Sequence, residues 1–365
     1  MDEIRILIAG GGTGGHLFPA IAIGEKIQSI HKNPVIHYMG STFGIESKVL
    51  PVKGLPHTLL PIKGLQRSFA FHSIIKNLSL PYFYFKSTSM AGHIFDAFKP
   101  QVVVGTGGYA SAIPVKMSLR NDIPVVLQEQ NSYPGLTTRM YASQSKVVCT
   151  AFLEAHDYLN AECFLSGNPI RKDILQGSKN EGERKFHLNP TKKTLFLMGG
   201  SQGSLFLNQL MEKSVKRLQK NNIQVLWQTG DLHYHNYKHL DSETIRVTPF
   251  IDAMADAYAL CDLIISRSGA LAVSEIMAVG KASILIPFSD AAENHQFKNA
   301  KALSDQKAAV LMSEKNLDSK NFLKTVIKLV YDNSKLTEMG SRAKSMSKPN
   351  ATKLIANKII ELATA

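Results

Sequence analysis

Two glycine-rich turns in this chain each follow a short apolar run. Ile4–Ala9 leads into the glycine-rich residues 10–15, and the apolar residues 194–198 lead into residues 199–204. A buried strand that ends in such a turn lets backbone N–H groups approach a ligand closely, and the following helix points its positive end at that ligand. The two turns therefore predict two anion-binding loops, with phosphate as the favoured ligand.

His16 directly follows the first turn, at the start of a predicted helix. The positive end of a helix disfavours the protonated imidazole, and a neutral histidine is suited to act as a general base. The alternative is a histidine that serves only the structure. Its place beside a phosphate-type loop favours the catalytic interpretation.

The first turn also fits the dinucleotide pattern G-x-G-x-x-G, with Gly10, Gly12 and Gly15. That pattern requires an acidic residue at the end of the second strand to hold a ribose. The second predicted strand ends near Met39, and the nearest acidic residue after it is Glu46. A nicotinamide or flavin enzyme is therefore disfavoured.

A further set of polar and glycine residues follows two other apolar runs of the first half. One group comprises Gly105, Thr106, Gly107, Gly108 and Tyr109. Because the carboxyl ends of parallel strands share one sheet edge, this loop and the first could cradle a diphosphate, although a simple tight turn is the alternative. The polar residues 128–132 follow the next run, and we expect them to face a hydroxyl-rich or amide ligand rather than the core.

In the second half, the richest segment is residues 267–275. Ser268 is a candidate N-cap and Gly280 a candidate end for a helix whose first turn could bind phosphate. Glu275 could accept both hydroxyls of a ribose, although a helix-surface acid is the alternative. Arg171 is the candidate cation for a leaving diphosphate. The polar residues 293–296 could reach sugar hydroxyls.

The sequence predicts neither a metal nor a cofactor. It contains no D-x-D motif, and no cluster of His, Asp or Glu has metal-ligand spacing. Helix ends and arginine would then have to stabilise a leaving diphosphate.

Strand-like runs alternate with helical patterns along the chain, which is typical of a parallel α/β sheet. The predicted strands are residues 4–9, 35–39, 101–104, 124–128, 146–149, 194–198, 224–228, 244–247, 263–266 and 282–287. Residues 179–184, all polar or glycine, look like a solvated linker. A length of 365 residues allows two domains. We therefore predict two Rossmann-like domains whose parallel sheets face a cleft.

The charge balance points to an anionic partner, since 42 Lys and Arg outnumber 29 Asp and Glu, giving +13. No nucleic-acid-binding signature is present, so we expect no nucleic acid partner. Residues 69–75 and 82–85 are apolar and aromatic, and Lys63, Arg67, Lys76 and Lys86 lie around them. Such a stretch could bind an anionic membrane surface, with core packing as the alternative.

Three further features of the sequence bear on the cellular compartment, and the cysteines favour a reducing one. The three cysteines lack paired spacing and read as buried free thiols. The first residues do not resemble a signal peptide, and no run is long enough to span a membrane.

Several motifs in order carry a resemblance to a known family. They are Gly-Gly-Thr-Gly-Gly-His at 11–16, Gly-Thr-Gly-Gly-Tyr at 105–109, Gln-Glu-Gln-Asn at 128–131, Gly-Asn-Pro-Ile-Arg at 167–171, Gly-Gly-Ser-Gln-Gly at 199–203, Arg-Ser-Gly-Ala-Leu-Ala-Val-Ser-Glu at 267–275, His-Gln at 295–296 and Asn-Ala at 299–300. The chain resembles the MurG family, the bacterial N-acetylglucosaminyltransferases of peptidoglycan synthesis, over about residues 4–300.

The resemblance implies a GT-B glycosyltransferase that moves N-acetylglucosamine from UDP-N-acetylglucosamine (UDP-GlcNAc). The acceptor would be the 4-hydroxyl of the muramoyl sugar in lipid I, undecaprenyl-diphospho-N-acetylmuramoyl-pentapeptide. The product would be lipid II, formed with inversion at the anomeric carbon. The enzyme would work as a peripheral protein on the cytoplasmic face of the bacterial inner membrane.

The resemblance also implies roles for individual residues. Those expected to bind the donor are Thr13, Gly14, Gly15, Asn131, Arg171, Ser201, Ile251, Ala270, Leu271, Ala272, Val273, Ser274, Glu275 and Gln296. Within this set, Arg171 and Ser201 would hold the diphosphate, Ile251 the uracil through its backbone, and Glu275 the ribose.

The expected division is an acceptor and membrane domain over residues 1–168 and a donor domain over residues 169–345. An amphipathic helix at about residues 346–365 would pack back on the first domain. Two alternatives stay open: a UDP-sugar 2-epimerase or another glycolipid glycosyltransferase of the same fold, and a non-catalytic membrane-associated scaffold.

Overall fold

The computed structural model describes residues 3–64, 78–200 and 202–365. Arg67, Lys76, the apolar residues 69–75 and Ser201 therefore lie outside the described residues. The chain forms two compact units. One contains Met1–Ile170 together with Lys348–Ala365, and the other contains Arg171–Ser347.

The first unit is built on a seven-stranded parallel sheet in the order β3-β2-β1-β4-β5-β6-β7. Its strands are β1 Ile4–Ala9, β2 Pro34–Ser41, β3 His57–Leu60, β4 Val102–Gly105, β5 Val125–Glu129, β6 Val147–Thr150 and β7 Cys163–Leu165. The central strand β4 is buried at every residue, as expected where helices cover both faces of a parallel sheet.

The described helices of the first unit include one from the far end of the chain. They are Gly14–Ile30, Glu46–Val52, Leu80–Phe98, Ala112–Arg120, Leu136–Tyr141 and Ala351–Thr364. Ile355 and Ile359 of the last helix are fully buried in the same apolar cluster as Leu17 and Val104. Residues 351–364 thus complete the core of a sheet that begins at residue 4.

The second unit repeats the design with a six-stranded parallel sheet in the order β10-β9-β8-β11-β12-β13. Its strands are β8 Lys193–Met198, β9 Ile223–Gln228, β10 Ile245–Thr248, β11 Leu263–Ser266, β12 Ser283–Leu285 and β13 Val310–Leu311. Its helices are Lys179–Phe186, Leu205–Glu212, Val215–Lys220, Asp231–Tyr237, Met254–Leu260, Ala270–Val279, His295–Asp305, Ser319–Val330 and Asn333–Met346. Trp227, the only tryptophan of the chain, is buried in this core.

The prediction of two Rossmann-like parallel sheets is confirmed, and each predicted run overlaps an observed strand. The sequence patterns missed β3, β7 and β13, all of which lie at a sheet edge. The prediction of a linker at residues 179–184 is wrong. These residues belong to the helix Lys179–Phe186, whose N-cap Ser178 accepts a hydrogen bond from the Glu181 N–H.

Two other expectations concern the compartment. All three cysteines are free, with Cys149 and Cys261 buried and Cys163 only partly buried. Among the described residues, no helix has both the length and the apolar character needed to cross a membrane.

Candidate functional site

The first glycine-rich loop connects β1 to the helix Gly14–Ile30. Gly12 has φ of 86°, which glycine adopts most readily. Thr13, the N-cap, makes no capping bond with its side chain, and its Oγ1 lies 3.2 Å from Nδ1 of His16. Thr13 and Gly15 are exposed, whereas Gly14 and His16 are half-buried. The loop therefore presents the His16 imidazole with one ring nitrogen engaged by its own turn.

The second glycine cluster packs against the first loop. A Cβ atom at Gly107 would lie 2.8 Å from Cδ2 of His16, and one at Gly108 would lie 3.1 Å from Nδ1. Thr106 Oγ1 donates a hydrogen bond of 2.9 Å to the His16 carbonyl oxygen. The fold thus brings the predicted loops 10–15 and 105–109 together around His16, and larger residues at 107 and 108 would displace the ring.

The segment of residues 128–132, at the end of β5, is more internal than expected. Gln128, Glu129 and Gln130 are buried, and Gln128 donates a 2.9 Å hydrogen bond to Oδ1 of Asn168. Gln130 donates to the Thr106 carbonyl at 2.7 Å and also to the Gln128 side chain. The expectation that these side chains face a ligand is therefore wrong for Gln128 and Gln130, because buried amides satisfy each other here.

Asn131 is the one half-exposed residue of the segment 128–132, and Glu129 holds it in place. Its Oε1 accepts the Asn131 backbone N–H at 3.0 Å and the Asn131 side-chain amide at 3.2 Å, and its Oε2 accepts the Gly135 N–H at 3.0 Å. Burial raises the pKa of Glu129, and these hydrogen bonds oppose the rise. Glu129 therefore sets the conformation of Asn131, the predicted sugar contact.

In the second unit, β11 ends at Ser266 and the helix Ala270–Val279 begins four residues later. Its N-cap is Gly269, so the prediction of Ser268 as N-cap is wrong. Ser268 Oγ instead donates a 2.8 Å hydrogen bond to the Gln296 carbonyl. Gly280, with φ of 68°, ends the helix as predicted. With no side-chain cap at its start, this helix turns backbone N–H groups outward.

The predicted binding residues of this helix differ in exposure. Ala270, Leu271 and Ala272 are half-exposed, whereas Val273 and Ser274 are buried. Only the backbone of the first turn and the side chains of residues 270–272 are therefore accessible to a ligand.

Glu275 and Arg171, predicted independently to bind ribose and diphosphate, form an ion pair. Arg171 Nε lies 3.2 Å from Glu275 Oε1, and the two side chains are 45% and 13% exposed. Tyr258 donates a hydrogen bond of 3.0 Å to the other oxygen, Oε2. Burial raises the pKa of Glu275, while Arg171 and Tyr258 oppose the rise. Tyr258 was missed by the sequence analysis because no motif links it to Glu275.

Arg267 was quoted only as part of a motif, yet it is a buried anchor for three loops. Its guanidinium forms two hydrogen bonds with Glu314, at 2.9 and 3.1 Å. It also donates to Ser204 Oγ at 3.1 Å and to the Pro287 carbonyl at 3.0 Å. Burial alone would raise the pKa of Glu314, but the hydrogen bonds and charge of Arg267 hold it below its ordinary value.

The remaining predicted donor residues are distributed as follows. Gln296 Oε1 accepts the Phe288 N–H at 3.0 Å, which fixes the orientation of its amide. Ile251 is 2% exposed as a whole residue, and its expected backbone contact with uracil stays a prediction. Ser201 lies outside the described residues. In the described part of the chain, no group of three or more His, Cys, Asp or Glu side chains could hold a metal ion.

Comparison with solved structures identifies the class of protein to which this fold belongs. The fold is similar to that of a UDP-GlcNAc 2-epimerase from Neisseria meningitidis, with a TM-score of 0.64 and 12% identity over 99% of this chain and 100% of that one. It is more similar to a crystal structure of MurG from Acinetobacter baumannii, with a TM-score of 0.81 and 27% identity over 99% and 100% of the two chains. At 12% identity the epimerase likeness concerns the fold alone. The class is that of GT-B glycosyltransferases.

Sequence comparison identifies the family within that class. The profile described as "Glycosyltransferase family 28 N-terminal domain" matches residues 6–150, and "Glycosyltransferase family 28 C-terminal domain" matches residues 194–355. The chain is 36% identical, over 99% of its length and 98% of the relative, to the UDP-N-acetylglucosamine--N-acetylmuramyl-(pentapeptide) pyrophosphoryl-undecaprenol N-acetylglucosamine transferase of Christiangramia forsetii. This chain belongs to glycosyltransferase family 28.

Proposed function

We propose that this enzyme transfers N-acetylglucosamine from UDP-GlcNAc to the 4-hydroxyl of the muramoyl sugar of lipid I. The product is lipid II, a precursor of peptidoglycan. Full-length similarity to transferases named for this reaction supports the proposal and disfavours the epimerase alternative. The structural observation that carries it is the pairing of Arg171 with Glu275 beside the start of the helix Ala270–Val279.

The second unit provides the donor groups. Glu275 accepts hydrogen bonds from the ribose hydroxyls, and the free N–H groups of the helix Ala270–Val279 face the diphosphate. Arg171 neutralises the charge that develops on the diphosphate as the bond to the sugar breaks. The backbone of Ile251 contacts uracil, Gln296 and Asn131 bind the sugar, and Ser201 assists at the diphosphate.

The first unit provides the base. His16 takes the proton of the acceptor hydroxyl on its imidazole ring, whose Nδ1 lies 3.2 Å from Thr13 Oγ1. The 4-oxygen then attacks the anomeric carbon, and UDP leaves with the electron pair of the broken bond, which inverts the configuration. Residues 13–15 contact the sugar of the donor, and residues 105–109 line the acceptor side of the reaction.

The same unit carries a candidate surface for an anionic membrane. Leu78, Tyr82 and Phe85 are 76%, 63% and 71% exposed, and Lys86 beside them is exposed. Exposed aromatic and apolar side chains next to lysine suit the boundary between headgroups and acyl chains. This surface gives the enzyme access to a lipid-linked acceptor as a peripheral protein on the cytoplasmic face of the inner membrane.

The reaction is tested by measuring UDP release from UDP-GlcNAc with and without a lipid I analogue. We expect release that requires the analogue. We also expect His16→Ala to lower kcat by roughly a hundredfold or more while UDP still binds. Hydrolysis without an acceptor, or no turnover, would contradict the proposed reaction.

The membrane surface is tested by cosedimentation with vesicles of phosphatidylglycerol and phosphatidylcholine. We expect binding that weakens with added salt and is reduced by Tyr82→Ser together with Phe85→Ser. Equal binding of the double variant, or equal binding to pure phosphatidylcholine, would argue against this surface.

A further inference from the structure

Glu46 is a fully buried acidic residue whose carboxylate lies under the first glycine-rich loop. It is the first residue of the helix Glu46–Val52 and is 0% exposed. Its Oε2 accepts the Gly12 N–H at 2.8 Å, and its Oε1 accepts the same N–H at 3.0 Å. Oε1 also accepts the Ser41 N–H at 2.8 Å, from the end of β2. One carboxylate therefore joins the loop after β1 to the end of the neighbouring strand.

The surrounding backbone leaves room for this carboxylate and for nothing larger. A Cβ atom at Gly11, Gly40 or Gly44 would lie inside contact distance of the Glu46 side chain. Three glycines from two chain segments thus surround one acidic side chain. A buried carboxylate is costly without hydrogen-bond donors, and here the donors are backbone N–H groups.

This arrangement changes the expected role of the first loop. A glycine-rich loop at a strand end commonly offers its N–H groups to a phosphate. Here the Gly12 N–H is already directed at a carboxylate of the protein itself. The Glu46 carboxylate therefore occupies the position at which the sequence predicted a bound phosphate.

The loop held by Glu46 is the one that carries His16. The residue after Gly12 is Thr13, whose hydroxyl lies 3.2 Å from Nδ1 of His16. A Cβ at Gly12 would lie 2.9 Å from the Tyr109 ring, so the second loop also rests on Gly12. The path from the Glu46 carboxylate to the imidazole therefore runs through one backbone N–H and one threonine.

We propose that Glu46 is a positioning residue for the acceptor side of the reaction, acting as an internal anion that fixes residues 10–15 and so orients His16. The inference rests on the proposed function for its kinetic consequence. Its structural consequence, the protection of two backbone N–H groups, is independent of any activity.

The kinetic test compares Glu46→Ala with wild type. We expect kcat to fall roughly tenfold to a hundredfold, because small misplacements of a catalytic group cost about that much, while the affinity for UDP, which the second unit binds, is unchanged. Because acetate replaces the removed atoms, millimolar acetate should restore much of the lost kcat. Glu46→Gln, which keeps the shape but puts an amide N–H group against the Gly12 N–H, should show a smaller loss without acetate rescue.

Glu25→Ala is the matched control. Glu25 lies in the same unit, but its side chain is 50% exposed, and its Oε1 lies 3.8 Å from Lys53 Nζ in an exposed ion pair. We expect it to leave kcat unchanged and to be insensitive to acetate. Amide hydrogen exchange is the second readout: Gly12 and Ser41 should exchange faster in Glu46→Ala and slow again with acetate.

The outcomes separate the two proposals. Unchanged kcat in Glu46→Ala, or a loss that acetate does not restore while the protein remains folded and binds UDP, would overturn the positioning role. If wild type shows no transfer at all, the proposed function fails. The exchange rates at Gly12 and Ser41 then still decide whether Glu46 holds the loop.

Discussion

The carboxylate of Glu275 is held from two sides, by the Arg171 guanidinium and by the Tyr258 hydroxyl. Under the proposed function, Arg171 and Glu275 contact different parts of one nucleotide. Their ion pair therefore has to open when the diphosphate takes the arginine and the ribose takes the acid. Tyr258 keeps its hydrogen bond to Oε2 and so retains the acid's orientation during that exchange.

Replacing Glu275 by glutamine should weaken UDP binding about tenfold, because hydrogen bonds to a charged group contribute about 1.5–3 kcal/mol. Titration calorimetry with UDP measures the loss. UDP lacking the 2′-hydroxyl is the control ligand, and its affinity should differ much less between the two proteins. Equal losses for both nucleotides would contradict the ribose role.

The same residue predicts a pH dependence. Burial raises the pKa of Glu275, and the proposed ribose contact requires the ionised form. UDP affinity of the wild type should therefore decline as the pH falls through that raised pKa. Glu275→Gln should lose this component of the pH dependence. An identical pH profile in the two proteins would exclude Glu275 as the titrating group.

Replacing Tyr258 by phenylalanine should weaken UDP binding about fivefold, since one hydrogen bond contributes about 1 kcal/mol. Tyr237→Phe is the matched control, because Tyr237 is a 4% exposed tyrosine of the same unit that packs on Trp227. We expect the control to bind UDP as wild type does. Equal affinities of both variants would mean that Tyr258 does not orient the acid.

At the scale of elements, the second unit gathers its loops around Arg267. That residue ties Ser204, at the start of the helix Leu205–Glu212, to the segment after β12 and to Glu314. The loop at residues 199–204 and the segment after β12 thus share one anchor. Its side chain and that of Glu314 are 9% and 14% exposed, so solvent screens the pair little.

Removing the anchor with Arg267→Ala should destabilise the second unit by about 3 kcal/mol, since it leaves a largely buried acid without its partner. Urea unfolding followed by Trp227 fluorescence reports on this unit, because no other tryptophan is present. Arg342→Ala, which breaks an exposed pair with Glu338 that is 44% and 60% exposed, should change stability by less than about 1 kcal/mol.

The stability that the Arg267–Glu314 ion pair contributes also depends on pH. The pKa of Glu314 lies below its ordinary value of 4.5, so the pair stabilises the fold above pH 4.5 and loses this contribution as the pH falls. The difference in urea midpoint between wild type and Arg267→Ala should therefore narrow in acid. If the difference in urea midpoint does not change with pH, the ion pair is not the source of the stability difference between the two proteins.

Most of the strands that the sequence predicted lie inside a sheet, and the edge strand β10 is the exception. Central strands such as β4 are continuous apolar runs and were found from composition alone. His57–Leu60 and Cys163–Leu165 have mostly half-buried residues because they lie at sheet edges, and no apolar run distinguishes them. The polar residues of Lys179–Phe186 form a helix because Ser178 caps it and Gly182 fits against the backbone of Asp256.

At the scale of the whole molecule, the core of the first unit depends on its last helix. Ile359→Ala should destabilise that unit by about 3 kcal/mol, the usual cost of such a cavity. Hydrogen exchange in β1 should accelerate while Trp227 fluorescence keeps its urea midpoint. Leu354→Ala, at a 37% exposed position of the same helix, is the control and should change exchange little. Unchanged exchange in Ile359→Ala would contradict the packing role.

The same dependence on distant contacts explains which site residues could be predicted. His16, Arg171 and Glu275 could be predicted as candidates because motifs and helix starts mark them. Glu46 was noted only as an acid in the wrong place for a dinucleotide, and Tyr258 was not noted. Their roles come from contacts with Gly12 and Glu275 across 34 and 17 residues, which no local pattern reveals.

The division of the chain has a consequence for synthesis on the ribosome. The second unit, Arg171–Ser347, is inserted between two parts of the first. Translation therefore completes the whole insert before residues 348–365 are made. The core of the N-terminal sheet therefore stays incomplete until the insert has been synthesised, because Ile355 and Ile359 of the last helix belong to that core.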